Sequence, residues 1–294
     1  MNSSNKSYVF AGLSVLFWST VATAFKLGLR DLDFIQLIFY ASGVTVVILF
    51  FFLLIQGKIG LLFQQTVGQI AGSAVVGALN PFIYYLILFK AYTLLPAQLA
   101  QPLNMVWPIT LALLSVPLLN QKIGWVSILA LFISFTGVVF ISSQGGISGF
   151  RDTNIPGVLL ALSSSIIWSL YWILNVRDKR DEIVKLFLNF FFGFIFLAIA
   201  VGLFSSFRVE PGGGFYAAIY VGVFEAGITY VFWMKALKYS TNNARIGNLI
   251  FISPFISLIF IHFILGETIY ITTFIGLVFI IIGIFIQQLD KKRD

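Results

Sequence analysis

Residues 8–27 read YVFAGLSVLFWSTVATAFKL, an almost wholly apolar run in which Lys26 is the one charged residue. A helix needs about 20 such residues to cross the hydrocarbon core of a bilayer, so this run predicts a retained membrane span rather than a signal peptide. Nine runs of the same kind follow, at 34–55, 67–89, 96–118, 124–142, 155–175, 184–207, 214–237, 242–264 and 269–288. None shows the two-residue alternation of an outer-membrane barrel. The sequence therefore predicts an all-α polytopic membrane protein with ten transmembrane helices.

The composition excludes a soluble domain and most kinds of catalytic site. Charged residues make up only 10% of the 294 residues and hydrophobic residues 59%, whereas soluble domains carry about 25% charged residues. The chain has no cysteine and a single histidine, His262, which excludes disulfides, cysteine nucleophiles and His-pair metal sites. No P-loop, Gly-x-Ser-x-Gly motif or cluster of buried acids is present. We expect neither an enzyme nor a bound cofactor or metal.

The net charge of +7 comes from loops between the spans, where basic residues orient a membrane protein rather than bind nucleic acid. With the N-terminus inside, 13 of the 18 lysine and arginine residues fall on the cytoplasmic side and 5 fall outside. The positive-inside rule then predicts that both termini are cytoplasmic. We expect a multi-pass protein of a bacterial inner membrane, whose partners are the lipid bilayer and a small-molecule substrate, with no nucleic acid.

The second half of the chain repeats features of the first half in the same order. A shift of 145 residues pairs Ser73 with Ala218, Gly77 with Gly222, Tyr85 with Tyr230, Lys90 with Lys235 and Ala91 with Ala236. With one extra residue in the second half, Pro108 then aligns with Pro254 and Gly137 with Gly283. In the first span of each half, Trp18-Ser19 corresponds to Trp168-Ser169. Residues 1–150 and 151–294 thus form two five-helix repeats. Because five is odd, their topologies are inverted, which is typical of secondary transporters, although a duplication kept for structural reasons would look the same.

Short motifs in both halves carry a family resemblance. In the first half they are Trp18-Ser19, the stretch NMVWP at residues 104–108, Gln121-Lys122, Trp125 and Gly137-Val138. In the second half they are Trp168, Tyr171, Gly227, Tyr230, Trp233 and Pro254. The sequence resembles the EamA-type drug/metabolite transporter (DMT) superfamily, and within it the YddG-like aromatic amino-acid exporter branch. The resemblance implies a ten-helix fold with a central cavity, a cytoplasmic N-terminus, and export or exchange of small metabolites.

Three tryptophans, Trp18, Trp107 and Trp168, fall near the middle of their predicted spans. Membrane tryptophans usually lie at the interface, so this placement indicates either helix packing or an aromatic lining for a solute. In the second case, each indole N–H is free to orient that solute. Tyr85, Tyr171 and Tyr230 complete the aromatic part of the candidate substrate site.

Glu225 is the single acidic residue deep in a predicted span. Such residues usually face the bundle interior and serve a function. Three roles stay open: binding the amino group of a substrate, carrying a coupling proton, or making a structural hydrogen bond. Asn80 occupies the corresponding position in the other repeat, and Asn104 either joins it at the site or bonds to a kinked backbone.

Prolines and small residues predict how the spans bend and pack. Pro81, Pro108 and Pro254 lie within predicted spans, where they indicate kinks or hinges. The small-residue stripes Ser73/Gly77 and Ala218/Gly222, together with Gly68-x-x-x-Gly72, predict close helix packing. At Gly266-Glu267 we expect a structural cap rather than a ligand-binding residue.

These features predict a secondary transporter, either an exporter or a facilitator, that works by alternating access through a central cavity. We expect small organic metabolites as substrates, and amino acids including aromatic ones among them. The alternative is a proton-coupled multidrug or nucleobase permease. A monomer contains both repeats and is sufficient for the pathway, with a homodimer as the alternative.

Overall fold

The computed structural model describes residues 3–119, 124–146, 153–240, 246 and 249–290, and these residues contain helices and turns but no β-strand. In chain order the helices are α1 (Ser3–Gly28), α2 (Phe34–Ile55), α3 (Ile59–Leu62), α4 (Val67–Gly77), α5 (Tyr84–Leu94), α6 (Ala97–Asn104), α7 (Trp107–Leu119), α8 (Trp125–Ser142), α9 (Ile155–Arg177), α10 (Glu182–Phe204), α11 (Gly213–Val221), α12 (Ile228–Tyr239), α13 (Ser253–Phe260) and α14 (Ile271–Asp290). π-Helical turns lie at Ala78–Ile83, Gly222–Gly227 and Ile261–Leu265, and a 3-10 turn lies at Leu249–Ile252.

Six helical segments of the described chain are long and apolar enough to cross a membrane. They are Asn5–Gly28, Phe34–Ile55, Val67–Leu94, Ile155–Arg177, Glu182–Phe204 and Gly213–Tyr239. Shorter apolar helices lie at Ile128–Ser142, Leu249–Leu265 and Ile271–Ile286. These lengths agree with the predicted polytopic architecture, whereas the count of ten crossings and the side of each terminus stay predictions. Part of the predicted run 242–264 and the Gln121-Lys122 motif lie outside the described residues.

Of the three prolines, Pro81 lies at a kink within a helical segment, as predicted, whereas Pro108 and Pro254 lie in the first turn of a helix. Pro81 lies in the π-helical turn between α4 and α5, next to Asn80, whose backbone is extended (φ −146°, ψ 121°). Pro108 is the second residue of α7, and Pro254 is in the first turn of α13. A proline in the first turn of a helix loses no hydrogen bond, because its N–H would have no partner within that helix.

The described chain divides into two compact units that do not follow the two sequence repeats. The first unit comprises the residues up to Leu86 together with Asp178–Leu265, and the second comprises Ile87–Arg177 together with the residues from Gly266 onward. Each unit therefore draws helices from both halves of the sequence. The predicted division into repeats 1–150 and 151–294 therefore stays a prediction from the sequence.

In the first unit, small residues allow the helices to approach closely. α10 packs against α2 and α4, while α1 packs against α11, α12 and α13. A Cβ built on Gly77 would lie 2.3 Å from the carbonyl oxygen of Asn189, and one built on Gly222 would lie 2.4 Å from that of Ala41. The predicted packing role of these two glycines is confirmed. The prediction for Gly68 and Gly72 is wrong for the described part of the chain, where no other helix comes within 4 Å of a Cβ at either position.

The second unit is organised around two packed groups of helices. α8 packs along α14, where a Cβ on Gly137 would lie 2.4 Å from the carbonyl oxygen of Gly276. α9 packs against α6 and α7. Glu267 accepts hydrogen bonds from the backbone N–H groups of Ala97 (2.8 Å) and Gln98 (3.1 Å), which begin α6. The predicted structural cap at Glu267 is therefore confirmed.

Replacement of Glu267 by alanine should destabilise the second unit by about 1–2 kcal/mol, because two N-terminal helix donors lose their acceptor. The measurement is the thermal unfolding of the purified protein in detergent. Glu210→Ala, at an exposed loop position before α11, serves as the control and should change the melting temperature little. Equal melting temperatures for the two variants would contradict the capping role.

Charged residues in the turn between α9 and α10 bond to α4 and to the segment that precedes it, all within the first unit. The Arg180 guanidinium contacts Asp178 (2.6 Å), Ser73 (2.8 Å) and Gln65 (3.1 Å), and Lys58 pairs with Asp181 at 2.7 Å. Burial raises the pKa of Asp178, but the hydrogen bonds and charge of Arg180 outweigh burial and hold that pKa below its ordinary value of 3.8.

The lowered pKa of Asp178 predicts how stability depends on pH. A carboxyl group whose folded-state pKa is depressed stabilises the fold above its unfolded pKa and loses that contribution as the pH falls through the folded pKa. At neutral pH we expect the wild-type protein to have a higher melting temperature than Asp178→Asn. The difference between the two melting temperatures should shrink once the pH falls below 3.8. Melting curves of both proteins across the acidic range test this, and a difference that widens with acidity contradicts it.

Candidate functional site

Glu225 lies in the π-helical turn Gly222–Gly227 that interrupts the helix between α11 and α12. The related turn Ala78–Ile83 interrupts the first repeat between α4 and α5 and carries Asn80. Such turns inside helices are frequent at functional sites, because they expose backbone groups and redirect side chains. The two polar residues singled out in the sequence thus occupy the same kind of local structure.

Four of the predicted site residues come together around this turn in the first unit. The Tyr85 hydroxyl donates a hydrogen bond of 2.9 Å to Oε1 of Glu225. The indole Nε1 of Trp18 donates one of 3.1 Å to the backbone carbonyl oxygen of Glu225. The Trp18 ring meets the ring of Tyr230 edge-on, with 6.0 Å between centroids. Glu225 is half-buried, while Tyr85 and Tyr230 are buried.

The expectation that the Trp18 N–H is free to orient a solute is wrong. A buried indole N–H requires an acceptor, and the carbonyl of Glu225 supplies it. The sequence reasoning also left Trp233 out of the site, although its ring lies 5.3 Å from that of Trp18. The signal was present, because Trp233 follows Tyr230 by three residues and so shares its helix face.

Asn80 also lies in the first unit. Its side chain is fully buried, and neither Oδ1 nor Nδ2 has a hydrogen-bond partner among the residues that the structure describes. The adjacent Pro81 contacts α10, where a Cβ built on Gly193 would lie 2.3 Å from the proline Cδ. Buried amide side chains without a hydrogen-bond partner are unusual, and each requires a physical explanation.

The remaining predicted residues lie in the second unit. The Asn104 amide donates a hydrogen bond of 2.8 Å to the Ser164 hydroxyl of α9. The Trp168 and Tyr171 rings stack with 5.4 Å between centroids. Trp107 receives a hydrogen bond of 2.9 Å on its carbonyl oxygen from Ser169. Each of these contacts joins α9 to α6 or α7, or lies within α9.

The cluster around Glu225 has the chemistry to bind an organic amine. A carboxylate attracts an ammonium group, and the faces of tryptophan and tyrosine rings attract the same charge. The phenol of Tyr85 fixes the carboxyl group from one side. No group of three or more histidine, cysteine or acidic side chains that could hold a metal ion occurs within the described ranges.

The long apolar helices of the described chain define a multi-pass helical membrane protein. The chain belongs to the EamA-like transporter family, whose sequence pattern matches residues 5–143 and again residues 155–287. The predicted resemblance to EamA-type transporters and the polytopic membrane character are therefore confirmed.

Related proteins carry transporter names. An uncharacterized transporter of Clostridium kluyveri is 29% identical, over 98% of this chain and 94% of its own length. The aromatic amino acid exporter YddG of Ancylobacter novellus is 26% identical, over 53% of this chain and 55% of its own length. A solved structure described only as a protein crystal structure matches all of both chains with a TM-score of 0.68 and 19% identity, which shows likeness in fold alone.

Proposed function

We propose that this transporter is a secondary transporter that moves small organic metabolites, amino acids including aromatic ones among them, across a bacterial inner membrane by alternating access. The observation that carries the proposal is the Glu225 carboxyl group, held by Tyr85 beside the rings of Trp18 and Tyr230. The relative named as an aromatic amino acid exporter supports the substrate class.

The proposal assigns complementary tasks to the groups of this site. Glu225 binds the ammonium group of the substrate, since an opposite charge is the strongest available partner in an apolar surrounding. Trp18 and Tyr230 offer ring surfaces to an apolar or aromatic side chain. The helix breaks at Pro81, Pro108 and Pro254 serve as hinges, because interrupted backbone absorbs changes of dihedral angle without unwinding a complete helix. In this proposal the chain has ten spans in two inverted repeats, with both termini cytoplasmic.

The second candidate is a proton-coupled multidrug or nucleobase permease. It is favoured by the direct bond between the Tyr85 hydroxyl and Glu225, because a carboxyl group with a phenol partner can take up a proton and keep one hydrogen bond. In this version the proton and a cationic solute compete for the same carboxyl group.

Uptake into liposomes that contain the purified protein tests both candidates. Labelled aromatic and aliphatic amino acids, purines and drug cations are compared with and without a pH gradient, and protein-free liposomes give the background. The leading proposal expects saturable uptake of amino acids, strongest for aromatic ones. Uptake of purines or drug cations alone, driven by the pH gradient, would establish the second candidate instead. No saturable uptake of any amine-bearing solute would overturn the assignment of Glu225.

A further inference from the structure

Four residues of the first unit form two pairs related by the predicted repeat. Asn80 corresponds to Glu225, and Tyr85 corresponds to Tyr230, both at a shift of 145 residues. The two polar residues lie in the π-helical turns Ala78–Ile83 and Gly222–Gly227. The two tyrosines lie in the first turn of the helices that follow, α5 and α12.

The hydrogen bonds of these four residues are not symmetric. Tyr85 donates to Glu225 across 2.9 Å, from one repeat to the other. The reciprocal bond, from Tyr230 to Asn80, is not formed, since neither amide atom of Asn80 bonds to any residue in the described part of the chain. Tyr230 packs its ring edge-on against Trp18. Of the two possible hydrogen bonds between the repeats, the one from Tyr85 to Glu225 is formed. The one from Tyr230 to Asn80 is not, although the Asn80 side chain is 0% exposed.

Alternating access by inverted repeats explains the unequal hydrogen bonding of the two pairs, and this explanation rests on the proposed function. The repeats are related by an axis in the membrane plane, so exchanging their conformations converts a state open to one side into the state open to the other. We propose that Tyr85 and Tyr230 form an exchange switch, in which the present conformation has the Tyr85–Glu225 bond and the opposite-facing conformation has a Tyr230–Asn80 bond in its place. The unpartnered amide of Asn80 is then the acceptor reserved for the second state.

The exchange switch predicts opposite effects for two conservative substitutions. Tyr85→Phe removes the bond of the present state, and Tyr230→Phe removes the bond of the opposite-facing state. Each should change the ratio of the two states by about tenfold, in opposite directions, which is the size expected for one such hydrogen bond. Because the chain has no cysteine, spin labels can be placed on single introduced cysteines without background.

The measurement is the distance distribution between spin labels in reconstituted protein without substrate. One pair, at Gln64 and Val176, reports on the predicted cytoplasmic side, and the other, at Thr93 and Arg208, reports on the predicted external side. All four positions are exposed.

Asn80→Ala should shift the distributions in the same direction as Tyr230→Phe, and combining the two should add little. The control Tyr40→Phe removes a phenol that bonds to the carbonyl of Phe207 and should leave both distributions unchanged.

Shifts of Tyr85→Phe and Tyr230→Phe in one common direction would overturn the exchange switch, as would unchanged distributions in both properly folded variants. The outcome is separable from the proposed function. If liposomes take up substrate while the labels show no opposed shifts, the transporter assignment stands and the switch fails. If the opposed shifts occur without uptake of any amine-bearing solute, the switch stands and the substrate assignment fails.

Discussion

Glu225→Gln should lower the transport of an amine-bearing solute at least about thirtyfold, because losing the charged partner of a desolvated ion pair costs about 2–5 kcal/mol. Glutamine keeps the shape of the side chain and an oxygen that can accept the Tyr85 hydrogen bond. The substitution therefore removes the negative charge and the titratable carboxyl proton while it preserves the packing of the π-helical turn. The measurement is the initial rate of uptake in liposomes, at several pH values.

Glu210→Gln provides the matched control, since it makes the same chemical change at an exposed loop position. Its uptake rate should equal that of the wild type. If Glu225→Gln also moved substrate at the wild-type rate with the same pH dependence, neither substrate binding nor proton transfer could be assigned to this carboxyl group. Glu225 would then be a structural hydrogen-bonding residue.

Gly77→Val should destabilise the first unit by about 3 kcal/mol, the upper end of the range for overpacking a tightly packed contact. The obstacle is backbone rather than a flexible side chain, because a Cβ at Gly77 would lie 2.3 Å from the carbonyl oxygen of Asn189 and 3.0 Å from the N atom of Gly193. Relief therefore requires α4 and α10 to separate. The measurement is the melting temperature in detergent, together with the yield of monodisperse protein.

Gly72→Val separates this clash from the general effect of a β-branched residue on a helix. Gly72 lies in the same helix, but no neighbouring helix among the described residues comes within 4 Å of a Cβ built there. We expect this control to retain nearly the wild-type melting temperature. Similar losses for the two variants would show that helix propensity, and not the contact with α10, determines the effect.

The secondary structure could be predicted from the sequence where it depends on the length of apolar runs. The run 34–55 matches α2 at both ends, because an apolar segment of bilayer length forms a helix wherever water cannot satisfy the backbone. The run 96–118 contains a break at Met105 and Val106 between α6 and α7. Hydropathy did not predict it, because hydropathy measures the side chains and not the hydrogen bonds of the backbone.

Packing and the candidate site were predictable only in part. The repeat register placed Gly77 and Gly222 at close contacts, but a small-residue pattern does not say whether a partner is present, and it failed at Gly72. Glu225 could be singled out because an acid inside a span is costly. Its partner Tyr85 lies 140 residues away in the sequence, and no spacing rule connects such positions. Likewise, the sequence did not show that each compact unit draws helices from both repeats.

The interleaving of the two units has a consequence for biosynthesis. Helix α1 packs against α11, α12 and α13, which are separated from it by more than half of the chain. Membrane proteins are made from the N-terminus onward, so α1 enters the bilayer long before its neighbours have been translated. Its buried serines, Ser14 and Ser19, must meet lipid or insertion machinery during that delay. The ribosome has to pass residue 260 before the first unit can close.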